Sequence, residues 1–195
     1  MNLSIKLLIN PYERLAGYTS LWMGILIGLC SIVPAYFFNA RFDGVLDLHF
    51  VTHVTWYKII VDQLVNMFCL MVVFSIAGLL VKGNSFRVID VCGTVVFSRF
   101  PMIVAPLLNA TGGFIDLQNS MIKQSGLSGL DTMNVVFLVV STIVLLFLVV
   151  WYVTLLYHAY KVSTNVKGWQ AIVSFIVAIL TAEVLSKFLI YQVSV

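Results

Sequence analysis

Charged side chains are scarce in this chain. Asp, Glu, Lys and Arg together make up 10% of it, against roughly 25% in an ordinary soluble domain. Hydrophobic residues make up 61%, and the mean hydropathy is +1.04. A soluble fold of 195 residues could not enclose that much apolar surface, whereas a bilayer takes the place of the missing core. The formal net charge of +3 is too small to suggest a nucleic-acid partner. Cysteine is sparse as well: Cys30, Cys69 and Cys92 each lie in an apolar run, with no CxxC pair and no metal-ligand spacing. They read as reduced thiols facing lipid or core. Also missing are a Gly-x-Ser-x-Gly elbow, a P-loop, a dinucleotide fingerprint and a His-Glu-x-x-His helix. Ser98 has no histidine or lysine at similar depth to activate it. The expectation is a protein that is not an enzyme and needs no cofactor.

What the chain does contain is a series of long apolar runs. Five are of spanning length, at about 20–38, 59–81, 88–108, 133–157 and 169–191. They are too long and too continuous for barrel strands of about ten alternating residues. The predicted fold is therefore all-α, a polytopic integral membrane bundle of about five transmembrane helices. It forms one membrane domain over 20–191, preceded by a cytoplasmic or interfacial segment at 1–19. The first run is long for a signal-peptide core and reads as a retained anchor. In the leading segment Asn10, Pro11 and Glu13 have the order of a cap, a first-turn proline and a capping-box acid, which predicts a short interfacial helix. A further short surface helix is expected around 115–123, in the polar loop after the third run.

An odd number of crossings puts the termini on opposite faces. Lys6, Arg14, Lys82, Arg87, Lys161 and Lys167 share the N-terminal face, whereas the basic residues of the other face are mixed with Asp43, Asp47, Asp116 and Asp131. The basic excess places the N-terminus in the cytoplasm.

Inside the third run stands Arg99, about eleven residues in and so roughly 16 Å deep. A central arginine costs about 2.5–3.5 kcal/mol on insertion scales, so it needs a partner. Glu183 lies at a similar depth in the fifth run, which predicts an Arg99–Glu183 contact, with Lys187 as a rival partner one turn on. Asp90 sits near the membrane edge, three residues after Arg87, and is expected to pair with it. Pro101 and Pro106 remove backbone donors, so the third run is either kinked for packing or broken to line a polar cavity. His49 and His53 have a zinc-compatible helical spacing but no third ligand, and read as solvated interfacial side chains. Asp62 is expected to pair with Lys58 across a turn. Gly24 and Gly28 in the first run, and Ala171, Ser174, Ala178 and Ala182 in the fifth, form small-residue stripes suited to close helix packing.

Three stretches carry a family likeness. They are the Asn10-Pro11 pair before the first span, the turn Lys82-Gly83-Asn84-Ser85-Phe86-Arg87 leading into the proline-bearing third span, and Trp151 to Tyr160 followed by Val162-Ser163-Thr164-Asn165. Together they resemble the Yip (Ypt-interacting protein) family of five-span membrane proteins, in its short bacterial-type form. The resemblance implies a five-helix domain with a cytoplasmic N-terminus, here in a bacterial inner membrane. Eukaryotic relatives of that family are linked to Rab-type GTPases. The long cytoplasmic N-terminal region of those relatives has no counterpart here, so a GTPase partner is not expected. Lipid, other membrane proteins or a second copy of the chain are the expected partners. The leading expectation is a bundle that binds partners or organises membrane. A small transporter or channel component built around Arg99 and Glu183 is the second, and a membrane hydrolase using the His49/His53 loop is a distant third.

Overall fold

A computed structural model describes residues 8–83, 85–115, 117 and 132–194. Among the described residues, five segments are long and apolar enough to cross a membrane. They comprise α1 (Gly17–Phe37), α2 (Trp56–Lys82), the broken third span Val88–Asn109, α4 (Thr132–Thr164) and α5 (Gly168–Ser194). The fold is the expected all-α membrane bundle. Most of the expected surface helix at 115–123 lies outside the described residues.

The tightest packing is between α1 and the third span and between α2 and α5, not between helices joined by the shortest turn. Small residues explain both. On α1 the buried face is Ser20, Gly24, Gly28, Ser31 and Ala35. A Cβ on Gly24 would stand 2.7 Å from the backbone nitrogen of Phe97, so only glycine permits this approach. On α5, Ala171, Ala178 and Ala182 are buried, and Ser174 Oγ accepts a hydrogen bond from the Tyr160 hydroxyl at 2.9 Å. Phe74, Tyr160 and Phe175 form an aromatic cluster where α2, α4 and α5 meet.

The outer surface is apolar. Within Thr132–Val150 of α4, Ser141 and Leu148 alone are buried. Side chains such as Ile143, Leu146 and Phe147 are more than 60% exposed, a surface that only hydrocarbon or another apolar partner can cover. At 33 residues, α4 is about 50 Å long, well beyond a hydrocarbon core of about 30 Å. Its ends therefore reach the headgroup zone.

The third span resolves the choice left open by its prolines. The regular helix, α3, covers Val88–Phe97 only, and 3₁₀ turns follow at Phe100–Ile103 and Ala105–Asn109. Pro101 and Pro106 cannot donate to the carbonyls four residues back. The chain answers by tightening to three-residue bonds, with Met102 donating to Arg99, Val104 to Pro101 and Leu107 to Val104 at 2.9–3.2 Å. The span is broken, yet its backbone stays bonded, as hydrocarbon depth demands.

The loop between α1 and α2 is also not the simple polar connection its composition suggests. Residues 40–41 and 49–50 pair as a two-stranded antiparallel hairpin, β1 (Ala40–Arg41) with β2 (His49–Phe50). Ala40, Phe42 and Val45 are fully buried. The tip of the hairpin folds inward between the helices. At the opposite face, the predicted interfacial helix is a single 3₁₀ turn, Pro11–Glu13, and Asn10 makes no side-chain cap.

Candidate functional site

The break in the third span, the inward hairpin and the polar face of α2 meet around Arg99. Arg99 follows the last turn of α3, where Ser98 Oγ donates to the Val95 carbonyl at 2.6 Å. Its side chain is 3% exposed. One guanidinium nitrogen donates to the carbonyl oxygen of Val45 at 3.4 Å, and the other to Gln63 Oε1 at 3.3 Å. The Phe42 ring faces the cation at 5.8 Å. The buried Tyr152 hydroxyl lies close to the guanidinium without a well-directed hydrogen bond. Gln63 passes the connection to α1, donating to Ser31 Oγ at 2.7 Å, and Ser31 donates to the Gly28 carbonyl at 2.6 Å.

The predicted Arg99–Glu183 contact does not form; no ion pair within 4.0 Å joins them. The inward hairpin takes the space between. Glu183 Oε2 accepts from the backbone N–H of Leu46 at 2.7 Å. Its other oxygen lies 3.2 Å from Lys187 Nζ, as expected from their one-turn spacing, and Lys187 also reaches Asp47 at 2.7 Å. Gly44 makes this approach possible, because a Cβ there would stand 2.6 Å from Glu183 Oε1. Ser186, buried one turn along from Glu183, accepts from the Val45 N–H at 3.2 Å. Asn66 donates to the Phe42 carbonyl at 2.6 Å. Side chains from α2, the third span and α5 thus grip the backbone of one hairpin tip, which satisfies groups that would otherwise be unpaired at depth.

Asp62 is a second correction. Its partner is Arg41 of the hairpin rather than Lys58, through two bonds of 2.9 and 2.8 Å, and the carboxylate is 1% exposed. That bidentate pair ties the strand to α2. The Asp62 hydrogen bond raises the Arg41 pKa against the opposing effect of burial. The zinc spacing of the histidines also dissolves: His49 lies in β2 and His53 in an exposed loop, so no helix presents them together. No group of metal-ligating side chains occurs among the described residues. His49 Nδ1 instead approaches Asp43 Oδ1 at 2.8 Å. The neighbouring Asp43 carboxylate raises the imidazole pKa. Burial of Asp43 opposes its ionisation, but His49 and Lys187 outweigh that effect and hold its pKa below the ordinary value.

Asp90 and Arg87 form no ion pair. Asp90 lies in the first turn of α3, where a carboxylate complements the helix dipole, and close to Gly17 at the start of α1. Pro101 is buried at the break, and Pro106 is buried beyond it.

Sequence reasoning missed Gln63, Asn66, Tyr152 and the whole hairpin tip. A signal existed for two of them. Asp62, Gln63 and Asn66 stand at i, i+1 and i+4 in an otherwise apolar span, and intramembrane polar residues on one helix face point inward. No family model matches the chain, and neither a curated protein nor a solved structure is significantly similar to it.

Proposed function

We propose that this membrane protein is a non-enzymatic bundle of the Yip type, which binds other membrane proteins or organises lipid through its outer helix faces. In this reading the polar centre is a lock that sets the shape of the bundle. One observation supports it most: Arg99 is 3% exposed and turns its donors toward a carbonyl and an amide of its own chain. A transport site needs its charged groups to meet water or a solute from one face or the other. Among the described residues little packs on the first half of α4, which leaves it as the surface for a partner, and a second copy of the chain or another membrane helix fits its apolar chemistry.

The test combines two measurements. Purified chain in sealed liposomes is expected to give no proton, sodium or anion flux above empty vesicles. Photo-crosslinking residues at Val140 and Phe147 in native membranes should trap a protein adduct of discrete mass. A flux abolished by Arg99→Leu in a variant that still folds would overturn this reading in favour of a transporter or channel component.

A further inference from the structure

Opposite the hairpin, on the membrane face that carries the N-terminal segment, the α4–α5 turn holds a cavity of about 390 Å³ lined by Asn10, His158, Lys161, Asn165, Val166 and Lys167. Three pieces of chain build it. His158 and Lys161 are one turn apart at the end of α4. Asn165, with φ of 53°, reverses the chain, and fully buried Val166 pins the turn to the bundle. Asn10 arrives from the N-terminal segment, which is fastened to α4 by a 3.0 Å hydrogen bond from Trp151 Nε1 to the Leu8 carbonyl.

Among the described residues the cavity lining holds two lysines and no carboxylate. No ion pair with a described carboxylate engages Lys161, Lys167 or His158; Lys161 lies only over the Tyr157 ring, at 5.6 Å. The hairpin face is the reverse: Arg41, His49 and Lys187 each meet a carboxylate within 2.8 Å. The N-terminus of α5 adds backbone donors on the same side, while the carbonyl end of α4 works against an anion and is outweighed by two lysines.

The surroundings place the cavity at headgroup level. Trp169, in the first turn of α5, is 75% exposed, and Tyr157 lies one turn before Lys161. Both residue types favour the membrane–water boundary. Leu8 and Ile9, beside Asn10, are exposed apolar side chains where an acyl chain would run.

The geometry points to a site for the phosphate of an anionic phospholipid headgroup, held by Lys161 and Lys167, with Asn10 and Asn165 as hydrogen-bonding walls. It stands apart from the Yip-type reading and from the Arg99 centre.

The test is thermal melting of the full chain in mild detergent with added phosphatidylglycerol, phosphatidylcholine or inorganic phosphate. Phosphatidylglycerol alone should raise the midpoint. Lys161→Gln/Lys167→Gln should weaken its apparent affinity about 30-fold, and Lys167→Gln alone about fivefold. Both lysines are exposed, so melting without lipid should stay at the wild-type midpoint. Lys82→Gln/Arg87→Gln, on the same face but outside the cavity, should keep the full response. An equal shift from inorganic phosphate would make this a site for the free anion and overturn the lipid assignment. An equal shift from phosphatidylcholine, or an equal loss in the Lys82/Arg87 variant, would overturn the site.

Discussion

Arg99 and Glu183 hold opposite ends of one peptide group. The guanidinium donates to the carbonyl oxygen of Val45, and the carboxylate accepts from the N–H of Leu46. The cation meets the negative end of that amide dipole and the anion meets the positive end. Two intramembrane charges are thereby eased through a shared neutral group rather than by direct contact, and the hairpin tip becomes part of the bundle core.

Removing Arg99 should therefore loosen the hairpin. Arg99→Leu leaves the Val45 carbonyl and Gln63 without their donor, at about 1–3 kcal/mol for each orphaned group. Its cost should be less than additive with Glu183→Gln, with a coupling of about 0.5 kcal/mol or more. Melting in detergent measures the cycle, and strict additivity would mean that the shared peptide carries no coupling.

Gly44→Ala places a methyl group against Glu183. Overpacking of this kind costs about 1–3 kcal/mol. The double variant Gly44→Ala/Glu183→Ala removes the clash, so its loss should fall below the sum of the two single losses. The same melting assay reads this, with protease cleavage in residues 39–55 as a local report.

The two hairpin ion pairs should differ in weight. Asp62→Ala removes a bidentate, buried partner of Arg41 and should cost about 3 kcal/mol or more. Lys187→Met breaks half-exposed pairs and should cost about 1 kcal/mol at most. Equal losses would show that burial does not set the ranking.

The His49–Asp43 pair makes the hairpin pH-sensitive. The folded pKa of His49 is raised above 6.5, so its contribution is fully present below pH 6.5 and fades as pH rises through the raised value. That of Asp43 is lowered below 3.8, so its contribution is present above pH 3.8 and fades as pH falls through the lowered value. Protection of the hairpin amides, taken as exchange relative to the intrinsic rate at each pH, should be greatest between these limits. His49→Gln should flatten the upper limb, and an unchanged limb would assign it to another group.

Five crossings should place residues 14 and 193 on opposite faces. Arg14→Cys and Val193→Cys, introduced separately into a chain whose native cysteines are replaced, should react with a membrane-impermeant thiol reagent from opposite sides of sealed vesicles. Labelling of both from one side would remove a span.

Much of this protein was legible residue by residue. The spans at 59–81 and 169–191 became α2 and α5 with shifts of a few residues, because hydrocarbon thickness acts on each apolar run separately. Arg99's need for an internal partner followed likewise from the cost of charge at depth. The small-residue faces of α1 and α5 were visible as spacings and packed as such.

Partner identity was not legible, and the physical reason is distance along the chain. Arg99 meets Val45 across 54 residues, and Glu183 meets Leu46 across 137. No local pattern marks a polar loop that turns inward, because its burial exists only once Gly44 has let the carboxylate in and Asn66 and Ser186 have taken up its backbone. Local preference and bilayer thickness set how many helices cross the membrane; which polar groups meet inside was decided only when the packed helices left the hairpin tip one place to satisfy its amides.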